Sequence, residues 1–430
     1  MNKVYLLLLA TTVWSSSCKT NNRSHQETID DIAIAYVKLC LEIGKYDNAF
    51  VDAYYGPQKW KSTSKAKDIF PYQELKWQAK DLAHRMELID PSTCSSEMKL
   101  RRNFLYKQLN AVSTRLDILS GKQLPFDYEA QSLYDITPPN ISYSHFDELV
   151  NSLESLVPGE GALNERYLSY SEQFIIPSDK LDAVFTTAIS EAKRRVAKKI
   201  DLPEKENFEL SYVTDQPWSG YNWYQGNYSS LIQINTDLPI YIERAIDLAC
   251  HEGYPGHHVY NVMLEKNMVN ENGWDEMMIY PLFSPQSFIA EGSANYGIEM
   301  AFPGSERLAY EKETLFPLAG IDSNLASDYY KIQGIRKELN FAEINIAKDF
   351  LNGSINHEEA ANLIQKYLLY SPDRATQRLS FYTTYRSYVI NYSLGEQMIR
   401  EFVEGFGNSQ EAHWKAFYQL FSSPRTASVL

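Results

Sequence analysis

The sequence predicts a mainly α-helical protein, with residues 28–430 forming one large helical unit divided by a cleft and a small antiparallel β-sheet inserted near residues 207–236. Three observations lead there. Apolar residues recur at three- and four-residue spacing through the first half of the chain and again beyond residue 300, as helices with one buried face require. The period drops to two between residues 207 and 236. Directly after that switch, three of the eight histidines fall within eight positions, in His251-Glu252-Gly253-Tyr254-Pro255-Gly256-His257-His258.

The chain opens on Met1-Asn2-Lys3, a positive start, followed by an apolar run from Val4 to Val13 that is too short for a stable bilayer span. Ser15-Ser16-Ser17 then precede Cys18. Residues 1–17 read as a signal peptide of lipoprotein type, with Cys18 as the lipidated first residue of the mature chain and residues 18–27 as a polar tether. That places the protein in a bacterial cell envelope, membrane-bound only through the lipid; the leucine usual three before the cysteine is missing, so a secreted protein is the alternative. No other apolar stretch is long enough to cross a membrane.

Ile29, Ile32, Tyr36, Cys40 and Ile43 line one helix face, and Gly44 ends the run. Leu100, Phe104, Leu109, Val112 and Leu116 do the same after a Ser95-Ser96-Glu97 start. Ser178 reads as the cap of a third helix reaching Lys193-Arg194-Arg195, a solvated face near a helix C-terminus. Phe208 to Val213 alternates, Tyr221 to Tyr228 turns at Gly226-Asn227, and Ser230 to Asn235 alternates again. Further on, Asn356-His357-Glu358-Glu359 has the spacing of a capping box. Cys40 and Cys94 could pair in an oxidising compartment, while Cys250 reads as a small core residue.

The histidine cluster carries the chemistry. Zinc proteases commonly set His-Glu-x-x-His on one helix, because positions four apart share a face and both imidazoles reach one metal. Four residues after His251 stands Pro255, which has no N–H to donate and breaks the helix. Gly256 then allows a backbone path closed to other residues. Pro255-Gly256 thus reads as a two-residue insertion thrown out as a bulge, which returns His257 to the second ligand position; His258 is the alternative. Glu252, about 100° round the helix from His251, would be the general base. Glu291, in an apolar helix from Phe288 to Glu299, is the best third ligand, since a metal would remove the penalty of burying its carboxylate. Asp247, one turn before His251, is a candidate acceptor for that ring's second proton.

His-Glu-x-x-Pro-Gly-His-His, followed some forty residues after His251 by Glu291-Gly292-x-Ala294-x-Tyr296, resembles the bacterial family called domain of unknown function 885. That family is related to zincin-like metallopeptidases with a mostly helical fold. The resemblance implies that His251, His257 and Glu291 bind zinc and that Glu252 is the catalytic carboxylate. Many relatives have Trp and Leu where this chain has Ser293 and Asn295, and Pro-Gly-Gln where Arg386-Ser387-Tyr388 stands; Tyr392-Ser393-Leu394-Gly395 keeps the pattern. Asn295 therefore falls beside the metal site. In related helical zincins a C-terminal tyrosine or arginine steadies the oxyanion, which makes Tyr392 a candidate and leaves Arg386 to bind a substrate carboxylate. An edge strand commonly holds the substrate in zincins, and Tyr228, Gln233 and Asn235 are the expected cleft-lining residues.

With 44% hydrophobic and 13% aromatic residues the chain can bury a large core, and a net charge of −14 argues against nucleic acid and anionic membrane surfaces as partners. The reading is a zinc metallopeptidase acting on peptides or oligopeptides. The alternative, kept open by the interrupted motif, is an inactive peptidase-like lipoprotein that binds peptides or a surface partner.

Overall fold

In the computed structural model, residues 16–216 and 218–430 are described, with residues 16–27 described as backbone alone. The leader before Ser16 and the side chain of Cys18 lie outside the described residues. The first helix, α1 (Ser16–Ile43), takes in the polar segment expected as a tether and then buries Ile29, Ile32, Tyr36, Cys40 and Ile43 on one face. It is followed by β1 (Val51–Tyr54), α2 (Tyr72–Glu87), α3 (Ser96–Leu119) and α4 (Phe126–Tyr134). The Ser95 hydroxyl caps α3 by accepting the Met98 N–H at 3.2 Å. The third predicted helix starts three residues later than its expected cap, as α5 (Leu181–Val196).

Next come β2 (Asn207–Val213), β3 (Gly220–Gly226) and β4 (Ser229–Asn235). Their order is β2-β4-β3, with β4 parallel to β2 and antiparallel to β3, so the sheet is mixed where a purely antiparallel one was expected. Asn227 and Tyr228 make the tight turn into β4 with φ of 54° and 61°, the left-handed pair that suits the twist of a two-residue hairpin. A second pairing joins β1 to β5 (Ile279–Pro281) across more than 200 residues of chain.

The remaining elements that position the site are α6 (Glu243–Leu248), α7 (His257–Leu264), α8 (Pro285–Ala301) and α9 (Ile390–Glu404). Helices α8 and α9 cross where Gly292 meets Gly395. A Cβ on Gly292 would lie 2.6 Å from the Gly395 carbonyl carbon, so only glycine lets the two backbones approach this closely. Apolar faces from all these helices merge into one continuous core. Asn356 and Glu359 form the predicted capping box of a later helix. Among the described residues, no helix is long and apolar enough to cross a membrane.

Candidate metal centre

Helix α6 passes into a wider π-helical turn, Ala249–Gly253, that carries His251 and Glu252. Such turns insert one residue into the helical ladder and so re-aim the side chains on it. Tyr254 is extended, the Tyr254–Pro255 peptide is cis, and α7 begins after Gly256. The helix does not run through Pro255. Tyr254 N–H donates to the Ala249 carbonyl at 2.9 Å and Gly256 N–H to the Cys250 carbonyl at 2.8 Å, which folds the insertion back on the turn. A Cβ on Gly256 would lie 2.6 Å from the His251 carbonyl carbon and closer still to its oxygen. With the insertion folded back, the rings of His251 and His257 meet edge to face at 4.7 Å.

Helix α8 brings Glu291 to both rings. Its Oε2 lies 3.3 Å from His251 Nε2 and its Oε1 3.5 Å from His257 Nε2. The ligand atoms of the three residues lie within 4.8 Å of one another. Glu291 is 6% exposed, and its Oε2 has no hydrogen-bond partner, an expensive state for a buried carboxylate oxygen. Burial would raise the Glu291 pKa, but His257 and His251 hold it well below the ordinary carboxylate range. Burial works against the charged form of His257, yet Glu291, Glu252 and Asp52 push it up to about 9. The site therefore favours a positive charge among these groups. Two imidazoles and a carboxylate with an unsatisfied oxygen suit a divalent ion such as zinc.

The ring of His251 is oriented by Asn295, one turn beyond Glu291 on α8. Asn295 Nδ2 donates to the Tyr392 carbonyl at 3.4 Å, which turns its Oδ1 toward His251 Nδ1 at 2.9 Å. Nδ1 of His251 is then the protonated nitrogen, and Nε2 presents its lone pair to the cluster. The expected acceptor, Asp247, faces elsewhere: it pairs with Arg307 at 2.9 Å and Arg244 at 3.5 Å. These ion pairs fix Asp247, and the neutral amide of Asn295 takes its expected task. Tyr388 donates its hydroxyl to Glu291 Oε1 at 2.8 Å, a contact sequence reasoning missed.

Glu252 is 5% exposed and follows His251 on the π-helical turn. Its main-chain carbonyl accepts from Asn222 Nδ2 at 2.7 Å. A Cβ on Gly220 would lie 2.7 Å from Leu248 and 3.2 Å from Glu252 Oε1, so β3 presses directly on the carboxylate. Tyr392 packs edge to face on Tyr388 at 5.8 Å and feels the charges of Glu291 and Glu252, so it borders the cluster.

Other expected residues stand apart. His258 is buried on the other side of α7, between Ser230 and Glu206 at 2.8 Å each, and is not brought to the cluster. Arg386 is held by Glu129 at 2.6 Å and does not offer a free guanidinium. Strand β4 is central, paired on both sides, so it has no free edge for a substrate strand. Tyr228 lies at the turn, bonded to Asn270; Gln233 accepts from the Trp223 indole at 2.8 Å; Asn235 braces the carbonyls of Gln216 and Trp218. The strand with a free edge beside Glu252 is β3. Cys40 and Cys94 are both free and buried.

Asp52 of β1 was also missed. It accepts a hydrogen bond from the Tyr221 hydroxyl and lies within electrostatic reach of His257, Glu291 and Glu252. Burial pushes its carboxyl up to about 7, against the pull of His257. No signal in the sequence around Val51-Asp52-Ala53-Tyr54 links it to a motif two hundred residues away.

No protein-family model and no curated protein matches the sequence. The resemblance to the family of domain 885 therefore rests on its two motifs. Among solved structures, a candidate lipoprotein from Colwellia psychrerythraea is similar in fold, with a TM-score of 0.52 and 14% identity over 83% of this chain and 68% of that one. The M32 carboxypeptidase from Deinococcus radiodurans R1 (TM-score 0.46, 11% identity, 93% of this chain and 89% of that one) and metallocarboxypeptidase 1 of Trypanosoma cruzi (0.45, 12%, 96% and 94%) lie below the similarity at which a shared fold is implied.

Proposed function

We propose that the chain is a zinc-dependent peptidase whose metal is held by His251, His257 and Glu291 and whose general base is Glu252. The observation that carries the reading is the buried carboxylate of Glu291, its Oε2 without a hydrogen-bond partner, set against the Nε2 atoms of His251 and His257, next to Glu252, which has no lysine or arginine partner among the described residues. A zinc ion there would supply Lewis acidity toward the scissile carbonyl and make a nucleophile of water near neutral pH.

The residues of the chain supply the rest. Glu252 accepts a proton from the attacking water as the C–O bond forms, and returns it to the leaving nitrogen as the C–N bond breaks, giving a carboxylic acid and an amine. Asn222 and the close approach of Gly220 fix the position of Glu252. Asn295 keeps Nδ1 of His251 protonated, and Tyr388 holds one oxygen of Glu291. Tyr392, at the border of the cluster, is the candidate donor to the oxyanion. The free edge of β3 replaces β4 as the strand that would align an extended peptide.

In the same reading Cys18 carries a lipid that anchors the protein to the cell envelope; the mass of the mature N-terminal peptide tests this, and an unmodified Cys18 would end it. The test of the activity is a peptide-library digest of wild type and E252Q. Chelator-sensitive cleavage that E252Q reduces by at least about 10³-fold is expected. Chelator-resistant cleavage, or full activity in E252Q, would overturn the proposal.

A further inference from the structure

Asp52 occupies a built position. Val51 pairs with Pro281 and Ala53 with Tyr280, which leaves Asp52 as the extra residue of a β-bulge. Bulges bend a strand and redirect one side chain. Here that side chain meets the phenol of Tyr221 on β3, in the field of His257, Glu291 and Glu252.

The charges around it do not balance. Several buried carboxylates elsewhere have a guanidinium: Asp47 has Arg115 at 2.7 Å, Glu129 has Arg386 at 2.6 Å, and Glu276 has Arg101 at 2.7 Å; buried Glu265, without one, is satisfied by the Tyr224 hydroxyl and the N–H groups of Asn227 and Tyr228. Asp52, Glu252 and Glu291 have no lysine or arginine partner among the described residues. One divalent ion offsets two of these carboxylates and leaves one negative charge. Tyr280 adds a hydroxyl on a residue only 9% exposed, without a hydrogen-bond partner, whose first charged neighbours are Glu291 and Asp52. Cations that could receive a substrate carboxylate are occupied: Arg386 by Glu129, Arg378 by Glu343, and Arg244 by Asp247 and Ser219.

We propose that Asp52 receives the free α-ammonium group of the substrate, so that the enzyme removes residues from the peptide N-terminus or splits dipeptides. This rests on the peptidase reading of the same site. The geometry suits it, because the nitrogen of an N-terminal residue lies only about 2.5 Å from its own carbonyl carbon, two bonds away. A group that holds that ammonium must sit close to the metal cluster, and Asp52 is placed toward it by its bond with Tyr221, the residue after Gly220, against which the Glu252 carboxylate packs. Asp52 is partly exposed as a residue, and its partner Tyr221 lies in a row of tilted rings with Trp218 and Trp223, centroids 5.4 and 4.5 Å away, an aromatic surface suited to a cation.

The test is equilibrium binding of a dipeptide, its N-acetyl form and its C-terminal amide to zinc-loaded E252Q, with and without D52N, beside turnover of the same peptides by wild type. The free dipeptide is expected to bind at least 50-fold more tightly than the N-acetyl form, the amide within threefold of the free dipeptide, and D52N to erase the first difference while retaining zinc. Equal binding of free and acetylated peptide, or loss of binding on amidation, would overturn the inference. The peptide comparison needs no substitution at Asp52, so it stands even if D52N misfolds. Preferential ammonium binding with no turnover by wild type would support Asp52's role and refute the peptidase reading alone.

Discussion

Substitution of Gly256 by alanine tests the step on which the metal site depends, the return of the chain after Pro255. The new Cβ would lie 2.6 Å from the His251 carbonyl carbon, where non-bonded carbons ordinarily stand about 3.5–4.0 Å apart. The two segments must therefore separate by about 1 Å. Zinc ligand distances tolerate only about 0.2 Å, and the residue after Gly256 is His257 itself. Loss of one well-placed ligand should weaken zinc binding at least 100-fold, about 2.7 kcal/mol. Overpacking adds a loss of stability of about 1–3 kcal/mol. Zinc affinity by competition with a chromophoric chelator, read beside urea unfolding of the metal-free protein, separates the two effects. G334A serves as control, since a Cβ at Gly334 meets nothing within 4 Å. Zinc affinity in G256A within threefold of wild type would refute the argument that the glycine closes the site.

G292A should lower stability by about 1–3 kcal/mol and weaken zinc binding, because it forces α8 away from α9 and carries Glu291 with it; unchanged melting would show the crossing can relax. N295L removes the acceptor of the His251 ring proton and should weaken zinc binding about 10–100-fold, whereas D247N should destabilise the fold by removing one of the two carboxylates paired with Arg307, leaving it Glu311, yet keep zinc affinity near wild type; the reverse pattern in chelator competition would count against Asn295. Glu206 gives a pH test. Burial would raise its pKa, but hydrogen bonds from His258, Tyr254 and Lys193 outweigh that and bring it down to about 2. A depressed folded-state pKa contributes stability above the ordinary glutamate range and loses it as pH falls toward 2. E206Q should thus be less stable than wild type by about 3 kcal/mol at pH 7, with the gap closing between pH 4 and 2 in urea titrations; a gap independent of pH would contradict this.

Much of the site was legible in the sequence because it is local. Pro255 and Gly256 dictate a broken helix, and a broken helix is what lets His257 rather than His258 approach His251. Glu291 was legible because a carboxylate in Phe288-Ile289-Ala290-Glu291 needs a reason to be buried. What escaped is what depends on long-range placement. Asp52 reaches the cluster through a bulge opposite β5, and Tyr388 reaches Glu291 through the crossing of Gly292 on Gly395. Asp247 and Asn295 share the surroundings of His251, and periodicity cannot tell which finds an arginine first. The strand order β2-β4-β3 likewise cannot be read from alternation, since all three strands alternate and only the parallel pairing of β2 places β4 in the centre.

Metal content tests the centre most directly, measured by elemental mass spectrometry on wild-type protein and on E291A after identical loading with zinc and removal of excess. About one zinc per chain in the wild type and less than about a tenth in E291A is the predicted result. Equal content in both, or none in either while the fold remains intact by circular dichroism, would contradict the assignment of His251, His257 and Glu291 as a metal centre.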